Sequence, residues 1–255
     1  LSLNRLPFFI GLTAGTTVVG AFDTVAPASV LARKHDLWLH IDGAWGGPVL
    51  FSQKHRHLLP DTSLADSFTW DAHKLMNIPL IASLILVKDS QALRSACAGG
   101  GGDYLFHRDE NAEYNSGDKS LQCGRRVDAL KFWLSWKATG ARGYARKIDR
   151  LMALKQYMLE RIKAFEELSL IGPADYLNVL FRFEGRTSRN EEEYARLNIA
   201  ICREMLKQDL GHVDYAHYRG RLGIRYTLSN SVLEAGHIDA FLDHCLYTGR
   251  QIANS

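Results

Sequence analysis

The stretch ADSFTWDAHKLMNIPLIASLILV, residues 65–87, sets His73 and Lys74 side by side between two strand-like runs. Lysine is rarely buried without a partner. Lys74 is therefore either a surface turn residue or a chemical group. The pattern around it decides the fold. Ser67–Trp70 and Leu80–Val87 are apolar runs of strand length. Upstream, Phe8–Thr13 is an apolar run closed by Ala14-Gly15-Thr16-Thr17, which suits a buried parallel strand. Residues 24–35 place Val25, Ala28, Ser29 and Ala32 at helical spacing. Leu37–Ile41 is again strand-like and ends at Asp42-Gly43-Ala44. Strand, helix, strand at these intervals predicts an α/β fold.

Downstream the rhythm changes. Residues 97–118, CAGGGGDYLFHRDENAEYNSGD, carry four consecutive glycines, which are costly to order and predict a mobile loop. A helix is predicted over 120–139 with Gly140 as its stop, and a second over about 143–167. YLNVLFRFEG and RLGIRYTLSN read as strands. Residues 191–209 and 234–252 read as helices. The expected division is a large α/β domain over 1–140 and a small α+β domain over 141–255.

A net charge of +3 with interspersed signs argues against a nucleic-acid partner. No apolar run approaches the length of a membrane span. The four cysteines, Cys97, Cys123, Cys202 and Cys245, form no CxxC pair and read as reduced thiols of a cytoplasmic protein, with no metal site expected. The opening LSLNRLPFFIGLTAGTT has no Met and enters a strand almost at once, so the chain is expected to begin inside a longer protein.

Ligands of open α/β sheets bind beyond the carboxyl ends of the strands. Thr16-Thr17, Asp42 and His73-Lys74 fall at three such ends. Each has a bland reading: aspartates and threonines form turns, and a lysine after a histidine is commonly solvated. Together they suit pyridoxal 5'-phosphate (PLP). Its aldehyde bonds a lysine amine, and its ring nitrogen stays protonated beside a carboxylate.

The motifs HIDGAWGG (40–47), SQKHRHLL (52–59), ADSFTWDAHK (65–74) and GDKSLQCGRRVDALKFWLSWKATG (117–140) closely resemble group II PLP-dependent amino-acid decarboxylases. The likeness is nearest to the glutamate and cysteine sulfinate branch. It implies the aspartate aminotransferase-like fold type I of PLP-dependent transferases, present as part of the large domain with the small C-terminal domain. By resemblance Lys74 is the lysine that bonds PLP, Asp42 the partner of the ring nitrogen, and Ala44 the small residue against the ring. His73 matches the histidine near the phosphate, and Thr17 a threonine bonded near the cofactor. Tyr104 resembles the catalytic loop tyrosine, and Arg225 the arginine that grips the substrate α-carboxylate.

The implied activity is decarboxylation of an acidic L-amino acid by a homodimer. Other amino-acid substrates, another fold type I enzyme such as an aminotransferase or lyase, and an inactive fragment are the alternatives. Two departures stand out. The family often has Asn-Pro before His-Lys, where this chain has Asp71-Ala72. Asp71 is expected to turn away or to bond backbone. The family also has a substantial portion before FFIGLTAGTT that supplies the ring-stacking residue and much of the phosphate site.

Overall fold

Two four-stranded sheets organise the chain. The computed structural model describes residues 5–97, 110, 114, 116–122 and 124–254. The first sheet holds β1 (Phe9–Thr13), β2 (Trp38–Asp42), β3 (Ser67–Asp71) and β4 (Ser83–Val87), in that spatial order. β1, β2 and β3 are parallel, and β4 pairs antiparallel with β3. The strand expected over 80–87 begins only at Ser83. Residues 72–82 join β3 to β4, one residue short of the dozen or so that a parallel crossover needs, and the chain turns back instead.

Strand alternation gives this sheet two unlike faces. Leu39 and Ile41 are buried, with Ile10, Leu12 and Phe68 packed beside them, and α1 (Val25–Lys34) adds Val25 and Ala32 to the same core. The opposite face carries Phe9, Gly11 and Thr13 in register with Trp38, His40 and Asp42. It stands open among the described residues. The expectation of a buried strand over 8–13 is thus corrected: β1 is half-buried on the face that carries Ile10 and Leu12, and on the other Phe9 is 47% exposed.

The second sheet holds β5 (Leu168–Leu170), β6 (Asn178–Phe183), β7 (Asp214–Tyr218) and β8 (Arg221–Thr227), ordered β5-β6-β8-β7 and antiparallel throughout. β6 is buried along its whole length. After the short α2 (Ala92–Cys97), the helices α3 (Asp128–Ala164), α4 (Glu191–Lys207) and α5 (Ala235–Ala253) follow, and they accompany this sheet. α4 starts on a capping box. Asn190 Oδ1 accepts from Glu193 N, and Glu193 Oε2 accepts from Asn190 N, each at 2.9 Å. Burial pushes the Cys202 thiol up to about 12 and raises that of Cys245, which keeps both protonated.

α3 begins at Asp128 rather than near 120, because Leu121, counted toward its apolar face, is 93% exposed and meets no core. Gly140, at φ +63° and ψ 173°, leaves helical geometry and separates two helical segments across a kink, in keeping with the stop expected there. The Ser135 and Tyr144 hydroxyls bond at 2.6 Å across the break. Phe132 and Trp136 pack with Phe51, Trp70 and Tyr144 in an aromatic cluster at centroid distances of 5.4–6.1 Å. The other side of this helical segment leaves Trp133 and Leu134 each 54% exposed. No helix among the described residues is long and apolar enough to cross a membrane.

Candidate active site

The connections that leave β1, β2 and β3 emerge at one edge because those strands are parallel. Two glycines let the first two interlock. Gly46 N donates to Ala14 O at 2.9 Å. A Cβ on Gly46 would sit 2.4 Å from that same oxygen, and one on Gly15, at φ +82°, would sit 2.8 Å from Gly46 Cα.

Asp42 ends β2 at this edge and is exposed. Its Oδ1 accepts from Ala44 N at 3.0 Å, and Oδ2 makes no hydrogen bond to the described residues. This turn fixes the carboxylate and leaves one oxygen for a ligand. On the same face lies a relay that sequence reading missed. Trp38 Nε1 donates to Ser67 Oγ at 2.7 Å, and Ser67 Oγ lies 2.7 Å from His40 Nδ1. His40 Nε2 lies 3.3 Å from Thr69 Oγ1. Burial pushes the His40 imidazole below its ordinary value, against the pull of Asp42. A neutral ring, accepting at Nδ1 and donating at Nε2, satisfies every group in this chain.

Lys74 follows β3 by three residues. Its Nζ lies 3.0 Å from Asp71 Oδ2, with the lysine side chain 42% exposed and that of Asp71 15%. Asp71 therefore does not turn away, as expected, but serves as the counter-ion of Lys74. Burial pushes the Asp71 carboxyl up, yet hydrogen bonds from Ser83 and Lys74, with the charges of Lys74 and His73, bring it below its ordinary value. His73 Nδ1 accepts from Ala82 N at 3.2 Å, which places a proton on Nε2, 3.9 Å from Asp71 Oδ2.

The second sheet reaches the same edge through two residues. Asn178, buried on β6, accepts from Trp45 Nε1 at 2.7 Å and donates from Nδ2 to Thr17 O at 2.9 Å. Arg225, on β8, donates from Nε to the same Thr17 O at 2.8 Å. Its two Nη groups make no hydrogen bond among the described residues, so the fork is open to a carboxylate. Asp42, Ala44, His73, Lys74, Thr17 and Arg225 all border the loops of this edge. Tyr104 lies outside the described residues, as does Cys123.

The Lys74 amine and the Asp42 carboxylate follow the carboxyl ends of parallel strands, where α/β sheets bind ligands, and the Arg225 fork reaches the segment after β1 from the second sheet. The chain belongs to the pyridoxal-dependent decarboxylase family, whose conserved domain matches residues 3–184. It is 36% identical over 260 residues to human cysteine sulfinic acid decarboxylase, covering 98% of this chain and 52% of that protein. It is also 36% identical over 256 residues to human acidic amino acid decarboxylase GADL1, covering 96% and 49% respectively. The chain thus spans about half the length of the curated relatives it matches. The crystal structure of mouse CSAD in apo form superposes with a TM-score of 0.89 at 34% identity, covering 97% of this chain and 53% of that one. A rice TDC structure with PLP and tryptamine shares the fold, with a TM-score of 0.89 at 21% identity. The fold is fold type I of the PLP-dependent enzymes, present in part.

Proposed function

We propose that the protein containing this chain uses PLP to decarboxylate an acidic L-amino acid (glutamate, aspartate or cysteine sulfinate) to an amine and CO₂. The observation that carries this reading is the placement of Lys74 and Asp42 on adjacent strand ends of one sheet edge. Likeness to decarboxylases named for acidic substrates supports the substrate class.

The donor set fits the cofactor: a reachable amine on Lys74, a carboxylate oxygen free on Asp42, and the small Ala44 beside it. When bound, PLP supplies an electron sink for the negative charge left at Cα as CO₂ departs. The Asp42 carboxylate, with Oδ1 already held by Ala44 N, would keep the ring nitrogen protonated through Oδ2. Arg225, anchored through Nε, offers its two Nη groups to the substrate α-carboxylate and orients it. His73 presents the proton on Nε2 beside Lys74 and Asp71. Tyr104 delivers a proton to Cα as general acid. Thr17 borders the site through the backbone that receives Arg225.

A homodimer accounts for the apolar side chains Trp133 and Leu134 exposed on α3. The large and small domains meet at the helix break of Gly140, with the small domain running from residue 141. A cytoplasmic location would keep the buried thiols of Cys202 and Cys245 reduced, which supports that reading.

The test is Lys74→Ala. The variant is expected to lose both the protein-bound PLP absorbance band and release of CO₂ from acidic amino acids. A Lys74→Ala protein with turnover near wild type would overturn the assignment. A keto acid in place of an amine, from the unaltered protein, would move it to the aminotransferases.

A further inference from the structure

Lys147, on α3, lies behind the turn that carries Lys74. Its Nζ donates to Leu75 O at 2.5 Å and to Asn77 Oδ1. Asn77 in turn donates to Lys74 O, from N at 3.2 Å and from Nδ2 at 3.4 Å. Asn77 holds φ +57°, a conformation that asparagine tolerates better than most residues. Two hydrogen bonds therefore link the Lys147 ammonium to the Lys74 carbonyl. α3 grips the same connection at its other end, where Lys131 Nζ donates to Ile81 O at 2.8 Å.

The two lysines differ in one respect. Lys131 also pairs with Asp128 at 2.8 Å. Lys147 forms no ion pair with a carboxylate among the described residues, and its hydrogen-bond partners are a carbonyl and an amide oxygen of the Lys74 turn. Burial, with the nearby Arg150 charge, pushes its ammonium down to about 8. A cation desolvated without an acid costs stability that an apolar side chain of similar length would not. What the cation secures is the geometry of residues 74–77.

We propose that Lys147 is a positioning residue for Lys74: through Leu75 O and Asn77 it holds the turn in the one conformation that presents the Lys74 amine at the sheet edge. This rests on the assignment of Lys74 made above. The test compares Lys147→Met and Lys147→Arg with the unaltered protein in two measurements. One is amide hydrogen exchange over residues 75–78 without cofactor, and the other is PLP binding followed by absorbance. Lys147→Met is expected to speed exchange of the Asn77 amide at least tenfold and to weaken PLP binding at least tenfold. Exchange along α3 should stay slow. Lys147→Arg, which keeps the cationic donor, is expected to recover most of both.

Wild-type exchange and binding in Lys147→Met would overturn the proposal, as would an arginine variant no better than the methionine one. Should Lys147→Met not fold, Asn77→Gly cuts the same relay from the exposed side while accepting the backbone angle. It carries the same expectation and the same refutation. Failure of the Lys74 assignment is seen separately, as a PLP band that survives Lys74→Ala.

Discussion

The unpaired cation on α3 has a consequence for stability that pH exposes. Lys147 is held at about 8, against an ordinary value of 10.5. At about 1.4 kcal/mol for each pH unit, the folded state carries a penalty of about 3 kcal/mol while the amine stays charged in both states. Partial exposure reduces this to about 2 kcal/mol in practice. The folded pKa lies below the unfolded one, so between pH 8 and 10.5 the unfolded chain holds a proton that the folded chain has released. Stability from this group therefore rises with pH across that window.

Lys147→Met removes the charge and, with it, the dependence. At pH 7 the variant escapes the penalty of about 2 kcal/mol but loses two hydrogen bonds from a charged donor, each contributing about 1.5–3 kcal/mol, so the wild type should be the more stable by about 1–4 kcal/mol. At pH 10 the wild type should be the more stable by about 2 kcal/mol further. Urea denaturation of both proteins at pH 7 and pH 10 measures the gap. A gap that changes by less than about 0.5 kcal/mol between the two pH values would refute the reasoning, because that range is well under the linkage worked above.

Asn178→Leu should cost about 3 kcal/mol in urea denaturation, since it strips two hydrogen bonds and orphans the Trp45 indole N–H; a loss below about 1 kcal/mol would count against that role. Gly46→Ala should cost about 3 kcal/mol, because its Cβ meets backbone, and a variant as stable as wild type would mean the loops part easily. Asp42→Asn should keep the fold and PLP absorbance yet lower kcat at least a hundredfold, about 3 kcal/mol of barrier, with KM nearly unchanged; an unchanged kcat would remove Asp42 from the chemistry.

Much of this site could be read from local pattern. The runs ending at Thr13, Asp42 and Asp71 each follow from apolar alternation closed by a turn, and parallel strands bring such ends together. Those expectations needed only residues adjacent in the chain. What escaped depended on distance. The direction of β4 turned on the reach of residues 72–82, and β5 and β7 are too short or too polar to stand out. Arg225 meets Thr17, and Lys147 meets Asn77, across 208 and 70 positions respectively. No spacing rule encodes such pairs. The orientation of Asp71 escapes local reading, because an i, i+3 ion pair after a strand end has no periodic signature and Ser83 on the returning strand sets it.

Thr17 offers one carbonyl oxygen to two donors, Asn178 on β6 and Arg225 on β8. Both lone pairs of that oxygen are taken up, so it behaves as a rivet driven through two plates. Any swing of the second sheet must drag the segment after β1 along with it. A tug on the guanidinium is thus passed mechanically to the doorstep of Asp42, and neither half of this joint can loosen without the other.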